Sequence, residues 1–348
     1  MKKTPYELDL ELIHLPEGYS TRGARLEDVE ASLDLHNQWS RTVIGEDEIT
    51  DAGAIRNEWL SPGFDPQRDI RLVIAPDGKL VGYVEAWTTF KPPVHPWIWG
   101  RVHPDYGGKG IGTYMLKWAE YRVKQVIDDL PPDLRFAPRV GIFSQATGSK
   151  KLFDDMGYRY IRSTYDMLIE MDAPPPAPAW PQGITLRTYD PETDAEMVYR
   201  ADQDIFRDHF GFVSSPFDEG FARYKHFMIE YEGFDPSLWF LAMDGDELVG
   251  ICLCKPTCLE DPDIAHVNDL GVRRPWRKRG LGLALLQHSF GEFYRRGKRK
   301  VNLGVDAENL TGALRLYEKA GMHVQRQFDI FEKELRPGRE ISVQSLGD

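Results

Sequence analysis

The clearest pattern of apolar and polar positions in this chain lies in residues 265–286. Residues 265–272 alternate as in a half-buried strand, which places the even-numbered side chains on one face and the odd-numbered ones on the other. From Leu281 onward the apolar residues follow the spacing of an amphipathic helix. The pattern predicts a strand, a connecting loop and a helix.

The loop between this strand and helix carries positive charge and two glycines. Five of the seven residues from Arg273 to Arg279 are cationic, in a chain whose formal net charge is −12. The first amides of a helix lack intrahelical partners and carry the positive end of its dipole, so they bind anions. Gly280 and Gly282 let a bulky diphosphate approach the main chain. The loop therefore predicts a polyanion site that follows neither of the two better-known glycine-rich phosphate motifs.

The sequence Arg277-Lys278-Arg279-Gly280-Leu281-Gly282 resembles the pyrophosphate-binding motif of the GNAT N-acetyltransferase superfamily. The next element of that superfamily follows as strand 300–305, then Asn309, then helix 311–320. The resemblance implies an α/β (α+β) fold of two tandem GNAT-like domains, each a mixed, centrally splayed β-sheet flanked by helices. The alternative is a nucleic-acid or surface patch with an accidental pair of glycines.

The same patterns occur once earlier in the chain, at a nearly constant offset. The glycine-rich loop 107–112 and the hairpin pattern 70–84 precede their counterparts in the same order, which indicates a duplication. Prolines in residues 173–182 favour a semi-rigid spacer. We expect an N-terminal lead-in (1–17), an N-terminal GNAT-like domain (18–172), a Pro-rich linker (173–182), a C-terminal GNAT domain (183–340) and a tail (341–348).

Composition narrows the class of protein. The three cysteines, Cys252, Cys254 and Cys258, crowd one strand and its exit without an obvious fourth ligand, so we expect buried thiols and no metal. The acidic balance argues against nucleic acid as a partner. No stretch approaches the roughly 20 apolar residues that span a bilayer. The first residues have no apolar core, so we expect a cytoplasmic protein without a membrane partner, as a monomer or homodimer.

The resemblance implies specific catalytic residues. Tyr317 is at the superfamily's usual position for the general acid, where a phenol can protonate or hydrogen-bond the coenzyme A thiolate as it leaves. The base often lies six residues before the valine at the end of the strand, which is His266 here. Asp269 is the second candidate, and its alternative role is an orienting carboxylate.

The same resemblance implies that acetyl-CoA (coenzyme A) binds to the main chain of the second domain. The amide of Val272 would face the thioester oxygen, and Asn309 would fix the far side of the cofactor. The expected cofactor-binding residues are Leu270, Gly271, Val272, Arg277, Lys278, Arg279, Gly280, Leu281, Gly282 and Asn309, with Val102, Gly108, Lys109, Gly110, Ile111 and Gly112 as their counterparts in the first domain.

The two halves differ at the chemically important positions. Where the second half has Arg277, Tyr317 and His266, the first has Gly107, Phe153 and Pro96. The first loop can still present amides to a phosphate, but the hydroxyl and the base are missing. We therefore predict that the N-terminal domain is not a catalyst.

The acceptor pocket is expected from the aromatic and polar segment 205–217. Asp208, His209 and Phe212, together with Asn268, are the predicted substrate-binding residues, and a small core of the loop itself is an equal alternative. This segment and the tandem layout resemble the mycothiol-synthase-like acetyltransferases. In that family the C-terminal domain acetylates a cysteinyl amine, with glutamate at the position of His266.

The predicted function is transfer of acetyl from acetyl-CoA to a primary amine of a small molecule, in the C-terminal domain. The acceptor would be an amino sugar, a cysteinyl or amino-acid amine, or an antibiotic-like amine, and a longer acyl group than acetyl is open. The alternative is a non-catalytic acyl-CoA-binding sensor or scaffold.

Overall fold

The computed structural model describes residues 14–309 and 312–345. Residues 1–13 of the predicted lead-in, Thr311 at the predicted helix start and residues 346–348 of the predicted tail lie outside the described residues. The chain divides into two compact units. The described residues of the N-terminal unit are 14–162 and 328–341, and those of the C-terminal unit are 163–309, 312–327 and 342–345. The predicted linker, 173–182, has no regular secondary structure and belongs to the C-terminal unit.

The described helices and strands of the N-terminal unit form one mixed sheet with helices. The strands are β1 (Ser20–Arg22), β2 (Ile70–Ile74), β3 (Leu80–Trp87), β4 (Trp97–Val102) and β5 (Arg139–Phe143). The helices are α1 (Val29–Val43), α2 (Ala52–Trp59), α3 (Pro66–Asp69), α4 (Ile111–Lys124) and α5 (Thr147–Asp155). Strands β1 to β4 are antiparallel neighbours, whereas β4 and β5 run parallel.

The C-terminal unit repeats this arrangement. Its strands are β6 (Arg159–Glu170) from residue 163, β7 (Ile184–Thr188), β8 (Trp239–Asp244), β9 (Glu247–Lys255), β10 (Ile264–Val272), β11 (Lys300–Asp306) and β12 (His323–Glu332) up to residue 327. Its helices are α6 (Ala195–Phe206), α7 (Phe217–Met228), α8 (Leu281–Arg295) and α9 (Ala313–Lys319). The mixed sheets with flanking helices confirm the predicted α/β fold class.

Two long strands are divided between the units. Residues 164–170 of β6 pair antiparallel with β11 in the C-terminal unit, and residues 328–332 of β12 pair antiparallel with β5 in the N-terminal unit. The sheet order is therefore β1-β2-β3-β4-β5-β12 in the first unit and β6-β11-β10-β9-β8-β7 in the second. The last strand of each repeat thus completes the sheet of the other.

The C-terminal sheet is covered by apolar residues on both faces. Leu285, Phe290 and Phe293 of α8 pack with Val267 and Val301 on one face. Val198 and Ile205 of α6 pack with Ile251 and Leu253 on the other, together with Met228 of α7. The sheet is therefore the middle of three layers. Within the described residues, no helix is both long and apolar enough to cross a bilayer.

Candidate active site

A cavity of about 690 Å³ lies in the C-terminal unit, where β10 and β11 separate. These two parallel strands are paired at three positions, Ile264 to His266 of β10 against Lys300 to Asn302 of β11, and at no later position in the described chain. The gap beyond them forms the cavity. Its lining residues are Ile205, Phe206, Asp208, His209, Val267, Asn268, Leu270, Gly271, Val272, Arg274, Arg277, Lys278, Gly282, Leu303, Gly304, Val305, Asp306, Asn309, Gly312, Ala313, Leu316 and Tyr317.

A β-bulge in β10 changes which side chains share a face. Val267 pairs with Cys254 and Asp269 pairs with the next residue of β9, Leu253, so Asn268 is the extra residue. Facing pairs of an antiparallel ladder lie on the same side of the sheet, so Asp269 and Gly271 lie on the face of α6 and α7. His266, paired with Lys255, lies on that face too. The simple alternation predicted from sequence, with His266 and Asp269 on opposite faces, is wrong because the extra residue reverses it.

The separation of the strands leaves the Val272 amide aimed at the cavity. The amide of Arg273 donates to the carbonyl of Val249 on β9 at 2.9 Å. Amide directions alternate along a strand, so the Val272 amide points the other way, to the side of β11. Pairing with β11 ended six residues earlier, at His266. The Val272 amide is therefore a main-chain donor at the cavity wall.

The loop before α8 has the geometry of an anion site. Lys278 has φ 62° and Gly280 φ 86°, and Gly280 is the residue that precedes α8. Within the part of the chain that the structure describes, the amides of residues 278–283 donate no hydrogen bond to protein acceptors. A Cβ on Gly280 would meet no atom within 4 Å, whereas one on Gly282 would lie 3.1 Å from Leu316 Cδ1. The loop thus offers free amides beside open space, which fits a diphosphate.

Most of the cationic side chains in this loop are bound to carboxylates. Arg274 Nε donates to Asp208 Oδ2 at 2.8 Å, and Arg277 Nη1 donates to the same oxygen at 2.9 Å. Arg277 also donates from Nε to the Val272 carbonyl at 2.9 Å and from Nη2 to the Ile205 carbonyl at 3.0 Å. Arg277 therefore ties the loop to β10 and to the end of α6.

Two cations are left for a bound anion. Arg273 contacts Glu247 and Asp204, whereas Lys278 and Arg279 are exposed and make no ion pair with a described residue. Lys278 lines the cavity, whereas Arg279, Gly280 and Leu281 do not. Of the predicted diphosphate contacts, the Lys278 side chain and the amides of Lys278 and Gly282 are thus the groups that the structure places at the cavity with free donors.

Asp208, predicted to bind the acceptor, is held inside the protein. It is 6% exposed, and the hydrogen bond from Arg274, followed by that from Arg277, lowers its pKa to about 2. His209 lines the cavity with its ring centroid 4.7 Å from that of Phe206, and burial lowers its pKa. Phe212 does not line the cavity, and its carbonyl accepts the Val343 amide at 3.1 Å.

Tyr317 lines the cavity from α9. Its ring packs in the apolar cluster with α8, and the residue is 7% exposed. Burial, followed by the charges of Cys252 and Asp269, raises the pKa of Tyr317 well above its ordinary value, so the phenol keeps its proton at neutral pH. Asn309, also in the lining, accepts the Ala313 amide at 3.3 Å and thereby caps α9.

His266 does not line the cavity. Its Nδ1 lies 2.8 Å from Asn302 Oδ1, and burial lowers its pKa to about 4. The imidazole is therefore neutral at physiological pH, with Nδ1 as the donor toward an oxygen that can only accept.

Asp269 lies beside the cavity between two lining residues. Asn268 donates from Nδ2 to Asp269 Oδ2 at 3.2 Å, and burial raises the pKa of Asp269 to about 6. The sequence analysis did not identify a second carboxylate, Asp202 of α6. Burial and then the charge of Asp269 raise the pKa of Asp202 to about 8. In the sequence, Asp202 could have been recognised as an acidic residue on the otherwise apolar face of α6.

The N-terminal unit has the same loop geometry before its helix α4, but its strand β4 lacks the bulge. Gly110, with φ 80°, precedes α4, and the amides of residues 108–113 donate no hydrogen bond to described acceptors. Val102 begins a register with β3 that continues to Trp97 without a bulge. Lys109 lies with Nζ 4.4 Å from the Tyr106 ring, Ile111 is buried, and a Cβ on Gly112 would lie 2.9 Å from Leu152.

The three cysteines are free and buried. Cys252 and Cys254 lie on one face of β9 with their Sγ atoms 3.6 Å apart. Among residues 14–309 and 312–345, no group of three or more His, Cys, Asp or Glu side chains could hold a metal ion.

The chain is similar in sequence to known proteins. A sequence model of the acetyltransferase (GNAT) family matches residues 33–133 and 196–322. A mycothiol acetyltransferase of Thermobispora bispora is 30% identical over 223 residues, which cover 63% of this chain and 70% of that protein.

Solved structures show the same architecture. A GCN5-related N-acetyltransferase from Sphaerobacter thermophilus is 35% identical, with a TM-score of 0.79 over 95% of this chain and 100% of that one. A tandem GNAT protein from the clavulanic acid biosynthesis pathway is 17% identical, with a TM-score of 0.64 over 92% of this chain and 100% of that one, and so shares the fold.

Proposed function

This chain belongs to the acetyltransferase (GNAT) family and is an N-acetyltransferase of that type; from this premise we propose that its C-terminal unit transfers acetyl from acetyl-CoA to a primary amine of a small molecule. The acceptor classes are those predicted from the sequence: an amino sugar, a cysteinyl or amino-acid amine, or an antibiotic-like amine. The N-terminal unit is proposed to be non-catalytic, because β4 lacks a bulge and Phe153 lacks a hydroxyl.

One observation carries the proposal: a single cavity is lined by Lys278 and Gly282, whose amides are free, by Val272 and by Tyr317. The loop amides and Lys278 would hold the diphosphate of acetyl-CoA, which supplies the acetyl thioester. The Val272 amide is positioned to stabilise negative charge on a carbonyl oxygen in the gap between β10 and β11. Tyr317 would donate a hydrogen bond to the departing thiolate.

Release of free thiol from acetyl-CoA in the presence of a panel of primary amines tests the proposal. We expect Tyr317→Phe to lower kcat by about 10²-fold, the lower end of what a positioned acid contributes, with coenzyme A affinity unchanged. Tyr294→Phe, the same change in α8 at a residue outside the cavity lining, is the matched control and should behave as the parent does.

Two results would contradict the proposal. A Tyr317→Phe variant as fast as the parent removes the phenol from the mechanism. A parent protein that binds coenzyme A but releases no thiol with any amine is instead an acyl-CoA-binding sensor or scaffold.

A further inference from the structure

Two buried carboxylates beside the cavity have no cation bound to them. Asp202 of α6 is 9% exposed, and Asp269 of β10 is partly exposed next to the cavity residue Asn268. Neither carboxylate makes an ion pair with a described Arg, Lys or His within 4 Å, although Asp208 nearby has two arginines. Gln203 and Asn268 each donate one amide hydrogen bond to them, but burying a carboxylate without a cation is costly and needs an explanation.

The packing of α6 on β10 brings these two carboxylates to the same place. A Cβ on Gly271 would lie 2.1 Å from Ile205 Cγ2, so α6 rests directly on the strand at this point. Asp202 precedes Ile205 by one helical turn, and Asp269 precedes Gly271 by two residues on the same face. The bulge at Asn268 puts Asp269 on this face; without it the carboxylate would face α8.

The electrostatics agree with this placement. The charge of Asp269 helps to raise the pKa of Asp202 to about 8, and burial raises the pKa of Asp269 to about 6. Near neutral pH the pair therefore holds about one proton and one negative charge. The other titratable groups coupled to Asp269 from the elements around it are Lys255 of β9, Cys254 of β9, Tyr224 of α7 and Tyr317 of α9.

A third polar group interacts electrostatically with both carboxylates. The Tyr224 hydroxyl oxygen is buried and has no hydrogen-bond partner among the described residues, and the two carboxylates are its leading electrostatic neighbours. An unpaired buried hydroxyl beside two acids is a donor and acceptor set that a primary ammonium group, with three N–H donors, would satisfy. This feature is independent of the acids themselves.

We propose that Asp202 and Asp269 form a carboxylate pair that binds the ammonium group of the acceptor, with Tyr224, and takes up its proton before acyl transfer. The inference rests on the proposed function and names the residues that handle the acceptor's proton. Asp269, next to the cavity, is the proton acceptor, and Asp202 is the positioning residue that shares its charge. His266 is poorly suited to this role, because its pKa is about 4 and its Nδ1 is bound to Asn302.

The step balances without a further reactant. The ammonium N–H bond breaks and its proton moves to Asp269, which leaves the nitrogen lone pair free. That lone pair forms the C–N bond, the C–S bond breaks, and its electron pair leaves on sulfur with a hydrogen bond from Tyr317. The carboxylate pair has room for one proton, so it passes the first proton to solvent, then takes the second amine proton and returns it to solvent or to the thiolate.

Substitution of each carboxylate, with two readouts, tests the inference. Asp269→Asn should lower kcat/KM for the amine by about 10²-fold or more, with coenzyme A affinity unchanged, because a general base contributes at least this factor. Asp269→Glu, which keeps the acid, should recover part of the loss. Asp202→Asn should remove the ionisation near pH 8 from the pH profile of kcat/KM. Asp218→Asn, the same change at an exposed position of α7, is the control.

The second readout needs no turnover. Infrared titration of the parent at pH 7 should show a protonated carboxyl that is absent in Asp202→Asn. In Asp269→Asn the pKa of Asp202 should be lower than in the parent, because a neighbouring negative charge has been removed. An Asp269→Asn enzyme within threefold of the parent, an unchanged pH profile in Asp202→Asn, or the absence of this carboxyl band overturns the inference and leaves the proposed function standing. Failure of every amine in the parent removes the proposed function and the inference with it.

Discussion

The contact between α6 and β10 predicts the effect of one added methyl group. In Gly271→Ala the new Cβ would lie 2.1 Å from Ile205 Cγ2, far inside van der Waals contact, and 3.7 Å from Phe206. Both neighbours belong to α6, which is packed against the sheet and cannot yield without losing other contacts. The helix must therefore move off the strand, and Asp202 must move with it.

The magnitude follows from the geometry. Overpacking by one methyl group costs about 1–3 kcal/mol, and replacing Gly by Ala in a strand returns about 0.5–1 kcal/mol of chain entropy. We expect Gly271→Ala to destabilise the C-terminal unit by about 1–2 kcal/mol. Ile205→Ala alone should cost about 2–5 kcal/mol through the cavity it leaves. The double variant should cost less than the sum by about 1–3 kcal/mol, because the new methyl occupies the vacated space.

The assay is urea unfolding, with hydrogen exchange of the β10 amides to assign the loss of stability to this unit. Gly304→Ala is the matched control, because a Cβ there would meet no atom within 4 Å. This control should match the parent's stability or exceed it by about 0.5–1 kcal/mol, because only the chain-entropy term acts there. Additive single and double variants, or equal losses in Gly271→Ala and Gly304→Ala, would refute the close packing of α6 on β10.

Two further predictions concern the loop. Asp208 has a folded pKa of about 2, below its ordinary 3.8, so its ion pairs stabilise the fold above about pH 4 and that stability is lost as the pH falls to about 2. Asp208→Asn should therefore lower the unfolding free energy at pH 7 by about 1 kcal/mol, a modest value because Arg274 is half exposed. The difference from the parent should vanish near pH 2. An equal difference at both pH values would contradict this prediction. Gly280→Glu and Gly110→Glu place a carboxylate at equivalent positions of the two loops, with φ 86° and 80° and no atom within 4 Å of the new Cβ. By calorimetry Gly280→Glu should remove coenzyme A binding to the C-terminal unit, and an unchanged stoichiometry in Gly110→Glu would show that the N-terminal loop does not bind it.

The local parts of the site could be read from the sequence. The strand before the loop, the glycines and the helix after them follow from short-range periodicity, and the structure has β10 at Ile264–Val272 and α8 at Leu281–Arg295. The fold class was what the resemblance of this pattern to the GNAT superfamily implied, and its repetition indicated two domains. The roles assigned to the site residues, Tyr317 among them, stay predictions, although the structure places Tyr317 at the cavity.

The non-local parts could not be read in this way. The bulge at Asn268 depends on how β10 pairs with β9, so the alternation of polar residues gave the wrong face for Asp269. The contact of Arg277 with Asp208 joins residues 69 positions apart, and it occupies a side chain that the loop sequence assigned to the diphosphate. The division of β6 between the two units also depends on long-range pairing.

The two units together separate the requirements of anion binding from those of catalysis. Both loops have the same left-handed glycine before the helix and the same unbonded amides, so an anion site needs little more than this short backbone geometry. Strand β10 has one inserted residue that β4 lacks, and after it Asp269 pairs with Leu253 on the face covered by α6, the helix that carries Asp202. A one-residue bulge can therefore be gained or lost without disturbing the loop. On this reasoning, deleting Asn268 should keep Asp269 opposite Leu253 on the face of α6 but remove the bend at the bulge, so amine acetylation should fall while coenzyme A still binds. Loss of both together would mean that the bulge also supports the loop.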